Sequence, residues 1–336
     1  MSAALLIRRA GPGMSVQDQG RPGYLSQGLS RGGAADPVAL AEGAALLSQS
    51  PTLAALEMTG MGGEFQALTD LRIALTGAEM RVTLDGSPLV WNASHMVPKG
   101  AVLSIGSAQN GTYGYLHIGG GIDASERLGS RAVHLSAGLG ALSQTGDVLT
   151  AGPDPVGQVG RILPPEPRFG GGVIRVLASL QTALFSDAVL ARFQATEFHR
   201  DHRGNRMGVR MNSDGEGFLV EGGLTVLSEV IVPGDIQITG DGAPFVLMSE
   251  CQTTGGYPRI GTVLPCDLPK VAQALPGASL RFRFVDTDTA LEAETRARNT
   301  LAGLRRRVQP MIRDPRDMPD LLSYQLISGM IAGDEE

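Results

Sequence analysis

Glycine and proline interrupt this chain too often for it to be built from long helices. The 336 residues include 46 Gly and 20 Pro, and the apolar runs between them are short, which favours short strands joined by many turns. Runs that read as strands are Leu5-Leu6-Ile7, Leu56-Glu57-Met58, Arg72-Ile73-Ala74-Leu75 and Met80-Arg81-Val82-Thr83-Leu84. An Asp85-Gly86 turn then leads into Leu89-Val90-Trp91. Val102-Leu103-Ser104-Ile105, Gly114-Tyr115-Leu116-His117-Ile118 and Gly146-Asp147-Val148-Leu149 continue the series. A second set opens with Val173-Ile174-Arg175-Val176-Leu177. It continues through Phe218-Leu219-Val220, Ile236-Gln237-Ile238 and Phe245-Val246-Leu247, and ends with the alternating Ser279-Leu280-Arg281-Phe282-Arg283-Phe284.

Helix signals are fewer. Asp36-Pro37 is a start signal, because the carboxylate accepts from orphan amides and Pro suits the first helical position; that helix is expected to run to about Ser48. Ser186 or Asp187 caps a short helix over 188–194, and Asp267 one near Val271-Ala272-Gln273. Thr289-Ala290-Leu291-Glu292 resembles a capping box opening a helix to about Arg307. The chain is therefore expected to be mainly β. A first domain spans 1–160, a Pro-rich linker 161–172, a second domain 173–286, and a C-terminal helix and tail 287–336. Leu56-Glu57 followed by Gly63-Glu64-Phe65-Gln66 echoes Ser228-Glu229 followed by Gly234-Asp235-Ile236-Gln237, so the two domains read as copies of one β unit.

Composition narrows the function. A net charge of −6 and 18% charged residues describe a globular chain without the basic surface of a nucleic-acid binder. No apolar segment approaches the ~20 residues of a membrane helix. The N-terminal segment lacks the apolar core of a signal peptide. Cys251 and Cys266 are too few for a disulfide framework and read as reduced thiols of a cytoplasmic protein. No zinc spacing, Walker segment, nucleophile elbow, metalloprotease motif or dinucleotide fingerprint is present. His117 reads as a hydrogen-bonded core histidine, and His199 and His202 as loop residues.

The most distinctive stretch is Glu250-Cys251-Gln252-Thr253-Thr254-Gly255-Gly256-Tyr257-Pro258-Arg259. It follows an apolar strand, and its glycines permit positive φ and close approach of a ligand. A carboxylate, an amide, two hydroxyls, a phenol and a guanidinium exceed what a plain turn needs. Other polar, Gly-flanked clusters are Gln17, Asp18 and Arg21; Gly120, Asp123, Ser130 and Arg131; and Asn205 with Arg206. Arginines aimed at one cleft would hold a carboxylate by paired hydrogen bonds, and Arg259 suits that role better than Lys because its planar fork matches the anion. Taken alone, each such arginine is more often part of a surface or structural ion pair. The expectation is that residues 252–259 line a cleft faced by Arg21 or Arg206.

Gln252-Thr253-Thr254-Gly255-Gly256-Tyr257-Pro258-Arg259 resembles the signature of the KipA-like family, also described as allophanate hydrolase subunit 2, biotin-dependent carboxyltransferase, or the C subunit of 5-oxoprolinase. Ser15 to Tyr24, Gly32-Gly33-Ala34-Ala35-Asp36, Gly119-Gly120-Gly121-Ile122-Asp123, Leu128-Gly129-Ser130-Arg131, Asn205-Arg206-Met207-Gly208 and Pro233-Gly234-Asp235-Ile236-Gln237 match it in order. The resemblance implies two tandem cyclophilin-like β-barrels. It also implies that the chain works with an A-like protein and a B-like (KipI-like) protein to cleave 5-oxo-L-proline to L-glutamate at the expense of ATP, which is shared with or bound by those partners. It places Glu250, Gln252 and Tyr257 among catalytic groups. Arg21, Arg206, Thr253, Thr254, Gly255, Gly256, Arg259, Gly120 and Arg131 would bind substrate, with no metal and no biotin attached to this chain. Alternatives are the carboxyltransferase subunit of a biotin-dependent urea or amide carboxylase, or a non-catalytic partner of a KipI-like protein. The chain departs from the family around Glu42 to Gln49, which lacks asparagines, and after Arg131.

Overall fold

The computed structural model of the protein describes residues 2–154, 157–220 and 226–312. The first half forms one nine-stranded sheet from β1 (Ser2–Arg9), β2 (Ser15–Gln17), β3 (Ala55–Thr59), β4 (Glu64–Ala67), β5 (Leu71–Leu84), β6 (Ser87–Pro88), β7 (Ser94–Val97), β8 (Val102–Ile118) and β9 (Val148–Ala151). Its path runs β2-β3-β8-β4-β1-β9, with β5 pairing β6, β7 and β8, and it is a half-barrel. Helix α1 (Pro37–Leu47) packs on β5 and β8.

After β10 (Arg161–Ile162), the second half carries β11 (Gly172–Leu177), α2 (Asp187–Ala195), β12 (Phe198–Arg200), β13 (Gly208–Asn212), β14 (Glu229–Val230), β15 (Asp235–Ile238), β16 (Pro244–Leu247), β17 (Thr254–Gly255), β18 (Arg259–Val263), α3 (Leu268–Gln273), β19 (Ser279–Phe284), α4 (Thr287–Arg307) and β20 (Gln309–Pro310). Seven of these strands close a barrel in the order β11-β18-β15-β16-β13-β12-β19, sealed by a parallel β11–β19 pairing. β14 and β17 form a separate two-stranded ribbon, and β10 pairs β20. The chain is therefore mainly β with two barrel-type units, of which only the second closes its ladder. Among the described residues no helix is long and apolar enough to cross a membrane.

The barrel is plugged by Phe193 of α2 against Phe198, Phe218 and Phe282, with ring centroids 5.2–5.5 Å apart. Each such ring contributes roughly 1.5–3 kcal/mol by leaving water. One apolar cluster crosses between the halves, joining Ala39, Leu40, Tyr113 and Tyr115 to barrel residues such as Ile174, Ile236 and Phe282.

The helix starts follow their caps. Asp36 accepts from the amides of Val38 and Ala39, and Ser186 from that of Val189. The expected capping box at Thr289 is displaced one turn earlier: Asp286 is the cap and accepts from the Thr289 amide at 2.8 Å. Asp267 does not cap α3 with its side chain, because Arg175 and Lys270 take its carboxylate.

Several strand readings also change. The two expected strands at 72–75 and 80–84 are one bent strand, with register shifts between Gly77 and Val82. The strands at 102–105 and 114–118 are likewise one, because the polar run between them pairs with β5, as in Glu79 opposite Asn110. Leu89-Val90-Trp91 and Phe218-Leu219-Val220 are not strands. Trp91 and Phe218 are instead buried from loops. β7, β12, β13 and β18 carried no clear period of their own.

His117 sits under α1, fully enclosed. The Thr76 hydroxyl donates to the Ala39 carbonyl and accepts from Nε2 of His117 at 2.8 Å; burial disfavours the charged ring and pushes its pKa down to about 3, which keeps the imidazole neutral. Gly43 makes this contact possible, since a Cβ there would stand 2.3 Å from three atoms of the imidazole ring. We expect Gly43→Ala to lower stability by about 2 kcal/mol or more through overpacking. Gly303→Ala, in α4 with open space around it, should raise stability by up to about 1 kcal/mol. Urea unfolding of both variants checks the contrast, and a neutral Gly43→Ala would contradict the packing.

The unfolded His117 titrates near 6.5 and the folded one near 3, so the unfolded chain binds the extra proton as pH falls between them. Stability should then decline by about 1.4 kcal/mol per pH unit below 6.5 from this residue alone. Subtracting the pH profile of a His117→Gln variant should expose that slope; parallel profiles would show that His117 is not held neutral.

Candidate functional site

The two halves are joined through Arg206, which lies in the turn before β13. Its Nη1 donates to Oε1 of the fully buried Glu57 on β3, its Nε to Oε1 of Glu250 at 2.5 Å, and its Nη2 to the Gly33 carbonyl at 2.5 Å. Glu57 is completed by the Ala35 amide at 2.8 Å and the Tyr115 hydroxyl at 2.6 Å. Glu250 is completed by the Leu135 amide at 2.9 Å. Burial alone would make Arg206 easier to deprotonate, but Glu57 and Glu250 outweigh it and hold the guanidinium well above its ordinary value. Arg21 adds a second positive charge near Glu250, so two acids face two guanidiniums. Its Nη2 donates to the Ala132 carbonyl and its Nε to that of Arg127, while Nη1 is buried without a partner among the described residues. Burial depresses its pKa, against the pull of Asp18 and Glu250.

His134 closes this cluster. Its Nε2 is 2.9 Å from the Ser30 hydroxyl and its Nδ1 4.0 Å from Oε2 of Glu250. Burial holds its pKa below the usual range despite Glu250. Besides the neighbouring Ser136 hydroxyl at 3.2 Å from Nδ1, the partners of His134 lie 104 and 116 residues away along the chain, so no local pattern places it in this cluster.

The stretch 252–259 forms a different place. Thr254 and Gly255 lie in the β14–β17 ribbon, and the Thr253 carbonyl accepts from the Ile231 amide. Gln252 and Thr254 are exposed, Tyr257 is 49% exposed, and no side-chain hydrogen bond reaches Gln252, Thr253, Thr254 or Tyr257 among the described residues. Gly255 lets the ribbon lie against the buried amide nitrogen of Gln237, which has no hydrogen-bond partner among those residues. Gly256 approaches the Val226 carbonyl.

Arg259 turns back under the ribbon. It donates to Glu229 at 2.7 Å and to Asp235 at 3.3 Å, and its amide to Gln181 at 2.9 Å. It thus does pair with carboxylates, but they are the protein's own. Arg206 and Arg259 do not face one another across a cleft. A cavity of about 920 Å³ is lined by neither of them, nor by Arg21 or residues 252–259.

The remaining expected residues are committed to local structure. Gly120 packs against the Gly152 carbonyl and donates to Gln49 at 3.0 Å. Arg131 pairs with Asp123 and Glu126, both at 3.0 Å. Cys251 is buried beside Ile231 and Leu247, and burial pushes its thiol to about 12, so it is no nucleophile. His199 and His202 are exposed and do not form a base pair. Among the described residues no group of three potential ligands is placed to hold a metal.

A second buried network has no counterpart in the sequence patterns. Arg168, in the Pro-rich connection, donates to Asp36 and Glu42, both at 2.6 Å. Gln273 of α3 joins Asp36 at 2.7 Å and accepts from the amides of Thr112 and Tyr113. Asp36 was legible as a helix cap; its second oxygen, serving this network, was not.

Breaking the central triad should be costly. Arg206→Met leaves Glu57 and Glu250 buried without their shared cation, and we expect a loss of about 3–5 kcal/mol. Adding Glu57→Gln and Glu250→Gln should recover a large part of it. A loss below about 1 kcal/mol in urea unfolding would mean the triad does not hold the halves together.

Comparison with known proteins agrees with this architecture. The family described as carboxyltransferase domain, subdomain A and B, matches residues 27–284. The chain is 31% identical to the 5-oxoprolinase C subunit of Haemophilus influenzae, over 85% of this chain and 92% of that protein. It is 33% identical to that of Escherichia coli K12, over 86% and 94%. The solved urea carboxylase of Kluyveromyces lactis superposes with a TM-score of 0.79 at 24% identity, covering 93% of this chain but only 31% of that longer one, a likeness of fold. The chain belongs to the carboxyltransferase domain family, subdomain A and B.

Proposed function

We propose that this protein is part of an ATP-dependent 5-oxoprolinase complex that cleaves 5-oxo-L-proline to L-glutamate. The observation that carries this reading is its similarity to two proteins named as the C subunit of 5-oxoprolinase, over most of both chains. Phosphorylating the lactam oxygen with ATP activates the carbonyl carbon. Water then attacks, the C–N bond opens, and glutamate, ADP and phosphate leave. The sequence has no Walker segment, so we assign the ATP contact to the A-like and B-like (KipI-like) partners.

The geometry supports a site completed by another chain. Arg206, Arg259 and Arg131 already hold carboxylates of this protein. Both oxygens of Glu250 accept hydrogen bonds, so we assign it a positioning role rather than proton transfer. Gln252, Thr253, Thr254 and Tyr257, on or beside the outward ribbon, have no side-chain hydrogen bond among the described residues and suit a substrate held under a partner surface. A second reading is the carboxyltransferase subunit of a biotin-dependent urea or amide carboxylase, favoured by the description of the matching family.

Co-expression with the two partner subunits should give 5-oxoproline-dependent ATP hydrolysis, and the purified chain alone should give none. In the assembled enzyme, Gln252→Ala or Tyr257→Phe should lower kcat/KM about tenfold, near 1.4 kcal/mol, within the range for a lost hydrogen bond. Robust turnover by the single chain would refute the shared site. Urea-dependent turnover with a biotin carboxylase would favour the second reading.

A further inference from the structure

The cavity of about 920 Å³ lies outside both the Arg206 cluster and the ribbon. Its volume lies in the range of small-molecule sites. One wall is made by α1 and α4 together: Ala41, Ala44 and Ala45 of α1 line it beside Leu301, Ala302 and Leu304 of α4, and Ala41, Ala45, Leu301 and Leu304 pack in one apolar cluster. Met248, Leu268 and several prolines complete an aliphatic lining with no aromatic residue. A flat ring would find nothing to stack on, whereas an alkyl chain would be matched.

The charges are as selective. The chain carries a net −6, yet the lining holds Arg31, Arg298 and Arg305 against the single acid Asp18. Asp18 is already occupied by the Gly20 and Arg131 amides and the Ser130 hydroxyl. Arg305 donates to the Gln49 carbonyl at 2.6 Å. Arg298 and Arg31 are exposed and make no ion pair among the described residues; Arg31 uses only its Nε, on the Gln19 carbonyl. Ser249 also lines the cavity, its hydroxyl buried and without a partner among the described residues. We propose that this cleft binds an amphiphilic anion, an aliphatic chain lying along the joined α1–α4 face with a carboxylate head on Arg31 and Arg298.

Titration calorimetry on the full chain, with sodium octanoate, nonanoate and decanoate below their micellar range, tests this directly. Each methylene should tighten binding about fourfold, which is ~0.8 kcal/mol per buried CH₂. Arg31→Gln with Arg298→Gln should weaken decanoate at least tenfold. Ala302→Trp, at an exposed position inside the cleft, should abolish binding with an unchanged Tm. Equal binding of decyltrimethylammonium, no dependence on chain length, or full affinity in Ala302→Trp would overturn the proposal. So would an Ala302→Trp protein that no longer assembles with partner subunits while the wild type binds no carboxylate, since the cleft would then be a protein-docking groove. None of these outcomes depends on 5-oxoproline turnover.

Discussion

One guanidinium ties the molecule together. Arg206 enters from the barrel half and finds the buried Glu57 on the first sheet and the buried Glu250 from its own half. Removing water from such groups costs several kcal/mol per ion, and the cost is offset only when every donor and acceptor is met. Here Ala35, Tyr115, Leu135 and Gly33 meet them. The contacts are all to fixed backbone or buried side chains, so the relative placement of the two halves becomes a matter of hydrogen-bond geometry as well as apolar packing.

That placement has consequences for both surfaces of interest. Gly32 to Ala35 and Met248 to Ser249 run along the cleft wall, and the Gly32 amide donates to the Ser249 carbonyl at 3.0 Å. Behind them, Arg206 holds the Gly33 carbonyl and Glu57 the Ala35 amide. On the other side, Glu250 begins the stretch that leads to the exposed ribbon at Thr254 and Gly255. A single buried cluster thus sets the wall of the cavity and the root of the ribbon, and Arg168 with Asp36, Glu42 and Gln273 repeats the device further along the same interface.

The two halves echo each other in their use of acids. Glu57 on β3 and Glu229 on β14 stand at corresponding places in the sequence, and each accepts from an arginine of the barrel half, Arg206 and Arg259. Their surroundings differ sharply. Glu57 is fully enclosed, and the side chain of Glu229 is 49% exposed. The buried pair links halves; the exposed pair braces a ribbon against its own barrel and contributes far less to stability.

The β class, the approximate positions of most core strands, the helix starting at Asp36-Pro37 and the singular character of residues 250–259 were set by local chemistry, and local chemistry is what a sequence displays. Turn residues, alternation and caps act over a few positions. The bends that fuse 71–84 and 102–118 into single strands were not legible, because a polar run paired across a ladder looks like a turn until its partner is known. Nor were the destinations of the arginines. Arg21, Arg131, Arg206 and Arg259 share one residue type and one kind of glycine-flanked loop. Only the tertiary structure decided that Arg206 bridges the halves, that Arg131 and Arg259 are satisfied near their own loops, and that Arg31 and Arg298 remain open beside an aliphatic cleft. An ion pair is made by whichever carboxylate the fold brings within about 4 Å, and for Arg206 and Glu57 that carboxylate lies 149 residues away in the chain.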